Sequence, residues 1–135
     1  MGTYAVISHT ADIGLSVEAD DLTDVFATAT RAMFELMFGA CVDAPSRSRN
    51  IEASGASAGE LLWDWLSSVL GWAEADGAAY YQAEVTVGAG ALGVVRGPAS
   101  GALELVGPPI KAVTLHQLVV EPRAERWRAE VIFDV

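Results

Sequence analysis

Trp127-Arg128-Ala129-Glu130-Val131-Ile132-Phe133 reads as the body of a β-strand, Arg126 to Asp134, that leads into Asp134 and Val135 at the end of the sequence. Strand side chains alternate between faces, so Trp127, Ala129, Val131, Phe133 and Val135 share one side and Arg128, Glu130, Ile132 and Asp134 the other. The first set is apolar throughout, which predicts one face against a core. The strand is expected to end in a free α-carboxylate on Val135, one residue from the Asp134 side chain. Two ionised oxygen groups held so close repel each other unless a cation or another partner offsets the charge, which outlines a hard-metal site. A frayed, solvated tail is the plain alternative.

Further strands are expected upstream at Tyr80 to Val87, Gly90 to Arg96 and Ala112 to Val120, with Gly- or Pro-containing turns at Gly88, Gly97-Pro98, Gly107-Pro108-Pro109 and Pro122. At the other end, Ala5 to Ile7 and Asp12 to Glu18 read as extended, Ile13, Leu15 and Val17 alternating with Gly14, Ser16 and Glu18. Asp21 or Thr23 caps a helix whose apolar positions Leu22, Val25, Phe26, Ala29, Met33, Leu36 and Met37 recur at helical spacing before Gly39. Arg49 to Ser54 forms a short strand. Ser57 and Glu60 then fit a capping box ahead of a second helix with the broad apolar face Leu61, Leu62, Trp65, Leu66, Val69 and Leu70. Such an order is not the regular alternation of a doubly wound fold. It predicts an α+β class, two helices packed against a mostly antiparallel sheet in a single compact layer-type domain over residues 1–135.

At 135 residues the chain suits one core, and its 52% hydrophobic content includes no run near the roughly 20 apolar residues of a membrane span. No basic segment precedes a hydrophobic run at the N-terminus, so a soluble, cytoplasmic protein is expected. A formal charge of −10 is the wrong sign for gripping a phosphate backbone unaided; cations and basic protein surfaces are the expected partners. The single cysteine, Cys41, excludes an intrachain disulfide and a multi-cysteine zinc site, and reads as a small buried apolar residue.

Gly88-Ala89-Gly90 leads into a strand without the Lys-Ser or Lys-Thr of a phosphate loop, and no serine nucleophile elbow is present. His9 and His116 fall short of a zinc set. Carboxylates remain: Asp12, where a polar turn enters a strand, then Asp134 and the chain end. Oxygen-only donors suit Ca²⁺ or Mg²⁺ over softer metals. The alternative for Asp12 is a turn residue that accepts backbone hydrogen bonds.

His9-Thr10-Ala11-Asp12-Ile13-Gly14, Leu61-Leu62-Trp63-Asp64-Trp65-Leu66, Lys111-Ala112-Val113-Thr114-Leu115-His116 and Val131-Ile132-Phe133-Asp134-Val135 occur in an order and spacing that resembles the archease family, over essentially the whole chain. The resemblance implies a non-catalytic accessory protein of the RtcB-type RNA ligase, promoting its guanylylation and multiple turnover in tRNA splicing or RNA repair. RNA would then be met only through the ligase, and no membrane is implied. It implies a metal ion, Ca²⁺ with Mg²⁺ or Mn²⁺ as alternatives, on Asp12, Asp134 and Val135, the last through its terminal oxygens. His9, Lys111 and His116 map onto a candidate functional surface. Two departures stand out: Leu115 replaces an aromatic residue, and Gly55 to Gly59 is poorer in acids than the usual lead into the second helix. Competing readings are a metal-stabilised binding or chaperone-like module unrelated to RNA ligation, and a small hydrolase using Asp12 with His9 or His116.

Overall fold

The computed structural model describes residues 2–8 and 12–135, with Ser8 described by its backbone alone. The order of elements is β1 (Thr3–Ser8), β2 (Asp12–Ala19), α1 (Leu22–Phe38), β3 (Arg47–Ala53), α2 (Ala58–Asp76), β4 (Gln82–Val87), β5 (Ala91–Gly97), β6 (Ala112–Arg123) and β7 (Arg126–Asp134). The class is α+β as expected, with two helices and antiparallel pairing throughout. The strands form two sheets rather than one, ordered β1-β2-β7-β6 and β3-β5-β4.

Local chemistry sets both helix starts. Asp21 caps α1, its Oδ1 accepting from the Asp24 amide at 2.7 Å, and Ser57 caps α2, its Oγ accepting from the Glu60 amide at 3.2 Å. Gly39 (φ 76°) stops α1, its amide donating to the Glu35 carbonyl at 2.8 Å. Cys41 falls beyond that stop and is exposed, not buried as its apolar neighbourhood implied. The helix that would have turned it inward has already ended.

Each helix packs on both sheets: α1 on β1, β2 and β7 of one and β4 of the other, α2 on β6 of one and β3 and β5 of the other. The expected stripe of α1 is buried at Val25, Phe26, Ala29, Met33 and Met37, but so are Thr28, Thr30, Ala32 and Phe34 around the barrel of the helix. Thr30 is suited to this because its hydroxyl donates to the Phe26 carbonyl at 2.7 Å and accepts from Trp65 Nε1 at 3.0 Å. Phe26, Phe34, Trp65, Tyr80 and Phe133 are among the largest fully buried side chains.

The strand expected from Tyr80 begins at Gln82. Tyr80 and Tyr81 are core side chains instead, their hydroxyls donating to Asp76 Oδ2 at 2.6 Å and to the Gly39 carbonyl at 3.0 Å. Among the described residues, no helix is long and apolar enough to cross a membrane.

Candidate metal centre

In β7 the expected alternation holds: Ala129, Val131 and Phe133 are fully buried and Val135 packs against the core, whereas Asp134 is exposed. β7 is an inner strand, flanked by β2 and β6. Its register places Asp12 of β2 directly opposite Asp134, and Ala112 of β6 opposite Asp134 on the other side. The two carboxylates thus leave neighbouring strands on the same face, the one turned away from the helices. Opposed residues of an antiparallel pair have Cβ atoms about 4.5–5.5 Å apart, and like charges there are destabilising.

Asp12 is half-buried, and its Oδ1 is buried without a hydrogen-bond partner among the described residues. Neither Asp12 nor Asp134 makes an ion pair among those residues. A buried, unsatisfied carboxylate oxygen facing a second carboxylate is costly by itself and fits an oxygen-seeking cation well. Among the described residues, no three His, Cys, Asp or Glu side chains converge. Main-chain carbonyl oxygens and water are further donors that hard cations accept at such a pair.

The other expected residues are distributed around this pair. The Lys111 amide donates to the Asp134 carbonyl at 2.8 Å, so its main chain fixes the end of β7. Lys111 also lines a cavity of about 610 Å³ with Phe34, Met37, Leu70 and Ile110 of the helix side of the sheet. His116 is exposed in a bulge, where Thr114 pairs with Ile132 and Val119 with Glu130, leaving four residues of β6 against Val131 alone. Gln117 within it takes a left-handed φ of 54°. His9 lies outside the described residues.

The Leu61–Leu66 block has a positioning role that its apolar period does not disclose. Trp63 Nε1 donates to the Val113 carbonyl at 2.9 Å, Asp64 Oδ2 accepts from the Ser54 amide at 2.9 Å, and Trp65 Nε1 reaches Thr30 at 3.0 Å. Three consecutive side chains thereby tie α2 to β6, to the end of β3 and to α1. The Trp63 bond holds the stretch of β6 that lies beside Asp134. Thr114, one residue on, has a buried hydroxyl with no partner among the described residues.

Residues 4–135 match the sequence profile described as the Archease protein family (MTH1598/TM1083). The chain is 35% identical to a protein archease of Methanopyrus kandleri, covering 96% of each chain. It is 30% identical to that of Methanosarcina acetivorans, covering 98% of this chain and 95% of the other. Its fold matches the solution structure of Methanobacterium thermoautotrophicum protein 1598 with a TM-score of 0.80 at 26% identity, covering 98% of both chains. An archease, possible chaperone, of Thermotoga maritima matches with a TM-score of 0.67 at 19% identity, covering 96% of this chain and 94% of that one.

Proposed function

This chain belongs to the archease family, and we propose that it acts without catalysis of its own as an activator of an RtcB-type RNA ligase, promoting guanylylation and multiple turnover in tRNA splicing or RNA repair. The observation that carries the site is the direct opposition of Asp12 and Asp134, with one oxygen of Asp12 buried and unpartnered among the described residues. Asp12, Asp134 and the α-carboxylate of Val135 would hold Ca²⁺, with Mg²⁺ or Mn²⁺ as substitutes. Bound there, the ion would supply a positive centre that offsets the facing carboxylates. The main chain of Lys111 holds Asp134 in register, and Trp63 holds the adjoining strand. The acidic end docks near the ligase's nucleotidyl-transfer centre, and RNA is engaged by the ligase alone. The protein works in the cytoplasm.

The test is multiple-turnover ligation with the cognate ligase. Asp12→Ala and removal of Asp134-Val135 each abolish stimulation while the ligase's single-turnover activity persists. Unchanged turnover in both variants sinks the proposal. If turnover is unaffected while Ca²⁺ still raises the melting temperature, the alternative of a metal-stabilised, chaperone-like module takes its place.

A further inference from the structure

Three segments build the cavity that Lys111 lines: the last turns of α1, the C-terminal part of α2 and the loop that leads into β6. Phe34, Met37, Ala73, Ala78 and Ile110 belong to its lining and are buried in the fold, so the core sets its walls. The loop is fastened to α1, the Val106 and Gly107 amides donating to the Met37 carbonyl at 2.8 and 3.3 Å. Leu105 of the same loop lines the opening and is 53% exposed. At about 610 Å³ the space falls within the range of small-molecule sites, roughly 300–1,000 Å³, which combine apolar walls with a few placed polar groups.

Two charged side chains line this cavity, Glu74 and Lys111, both exposed. Lys111 is the one lysine of the whole chain. Neither enters an ion pair among the described residues, so the two do not neutralise each other. Their anchors account for the separation. Lys111 is tied by its amide to the Asp134 carbonyl at the end of β7, whereas Glu74 stands in the last turn of α2. The Ser100 amide donates to the Gly77 carbonyl at 2.8 Å, which sets Ser100, a third polar lining residue, beside that helix end.

An apolar space edged by one unpaired cation and one unpaired anion is complementary to an apolar molecule that carries both charges. We propose that the cavity binds a free aromatic amino acid, its ring against Phe34, Met37 and Ile110, its carboxylate at Lys111 and its ammonium at Glu74. Burying the ring supplies most of the affinity, since an aromatic side chain takes about 150–250 Å² out of water. The two head-group contacts are exposed and individually weak, and they supply selection. An anionic amphiphile meets the like charge of Glu74, and a cationic one meets that of Lys111.

Calorimetric titration of the full chain with L-tryptophan, indole-3-propionate and tryptamine separates these contributions, because the three share a ring and differ in charge. L-Tryptophan is expected to bind at one site per chain, at least fivefold tighter than either analogue. Lys111→Met keeps an unbranched stem and should erase the advantage over tryptamine, which lacks the carboxylate. Glu74→Gln should erase the advantage over indole-3-propionate, which lacks the ammonium. Both positions are exposed, so the variants should melt with the wild type. Nuclear Overhauser contacts from the bound indole are expected at the Met37 and Ile110 methyl groups. The proposal is overturned by the absence of saturable binding at millimolar concentration, by equal affinity for the three ligands, by contacts to another part of the chain, or by preferences that survive both substitutions.

Discussion

Asp12 and Asp134 stand directly opposite each other on the two inner strands of the four-stranded sheet, the shared row being closed on the β6 side by uncharged Ala112. Nothing cationic in the described chain pairs with either one, so folding alone brings two negative charges together. A cation that binds the folded state and not the unfolded one converts that liability into stability. At a free concentration one hundred times its dissociation constant it adds about 2.7 kcal/mol. For a chain of this size that is a rise in melting temperature on the order of 10 °C. Ca²⁺ is expected to produce such a rise in the wild-type protein and none in Asp12→Asn. In EDTA the variant should melt no lower than wild type, because the facing charges are gone. Scanning calorimetry with and without Ca²⁺ decides it, and an equal response from the variant rules out the two-carboxylate site.

Trp65 and Thr30 make the buried link between the helices, and the link is asymmetric in what each partner loses. Thr30→Val keeps the shape and removes the only acceptor described for the Trp65 indole N–H, stranding a buried donor. The expected loss is about 1–3 kcal/mol. Thr30→Ser preserves the hydroxyl and should cost well under half as much. Urea unfolding of the three proteins gives the comparison; equal stability of the Val and Ser variants would show that the bond carries no net energy.

Acid sensitivity has an identifiable contributor apart from the Asp12–Asp134 pair. The Arg49 guanidinium donates two bonds to Asp76, from Nε at 2.6 Å and Nη2 at 2.8 Å, and stacks 3.8 Å from the Trp72 ring centroid, while the Tyr80 hydroxyl also donates to Asp76. Bonds from Arg49 and Tyr80 hold the Asp76 carboxyl at about 2, below its ordinary 3.8. A depressed folded-state value means the unfolded chain binds the proton first as pH falls. The stabilisation is therefore complete above about 4 and disappears as pH drops towards 2. Asp76→Asn should flatten the stability profile between those limits while barely altering its shape from pH 5 to 8. Chemical denaturation at pH 2.5, 4 and 6 reads this directly, and an unaltered acid slope in the variant assigns the effect elsewhere.

The local devices of this fold were readable before its geometry was known. Asp21, Ser57 and Gly39 act on their immediate neighbours, so the helix limits followed from short-range chemistry. The β7 alternation likewise foretold which side chains enter the core. Division into two sheets was not readable, because strand pairing depends on partners dozens of residues apart and both sheets draw on the same apolar alphabet. The burial of Thr30, outside the apolar stripe of α1, was not readable either, since an amphipathic period shows one partner surface and α1 has two. The β6 bulge gave no local sign either: Gln117 adopts a positive φ without being glycine. At the candidate site, Asp12 and Asp134 could be grouped from the sequence, but their exact opposition is a property of register. A slip of one residue would put the two carboxylates on different faces.

Two glycines show how the same substitution changes sign with surroundings. Gly71 lies in the exposed middle of α2, and a Cβ there would meet nothing within 4 Å. Alanine relieves the backbone entropy that glycine loses in a helix, so Gly71→Ala should stabilise by about 0.5–1 kcal/mol. Gly97 ends β5 where the Ala78–Tyr81 segment crosses it, and a Cβ would fall 1.7 Å from the Ala79 carbonyl oxygen. The obstacle is main chain, which cannot rotate aside like a long side chain, and the same segment places buried Tyr80 and Tyr81. Gly97→Ala should therefore cost roughly 3 kcal/mol, at the upper end of overpacking penalties. Parallel thermal melts of the two variants against wild type test the pair. A neutral Gly97→Ala would mean that the Ala78–Tyr81 segment shifts at little cost, and the close packing of β5 beneath it would have to be abandoned.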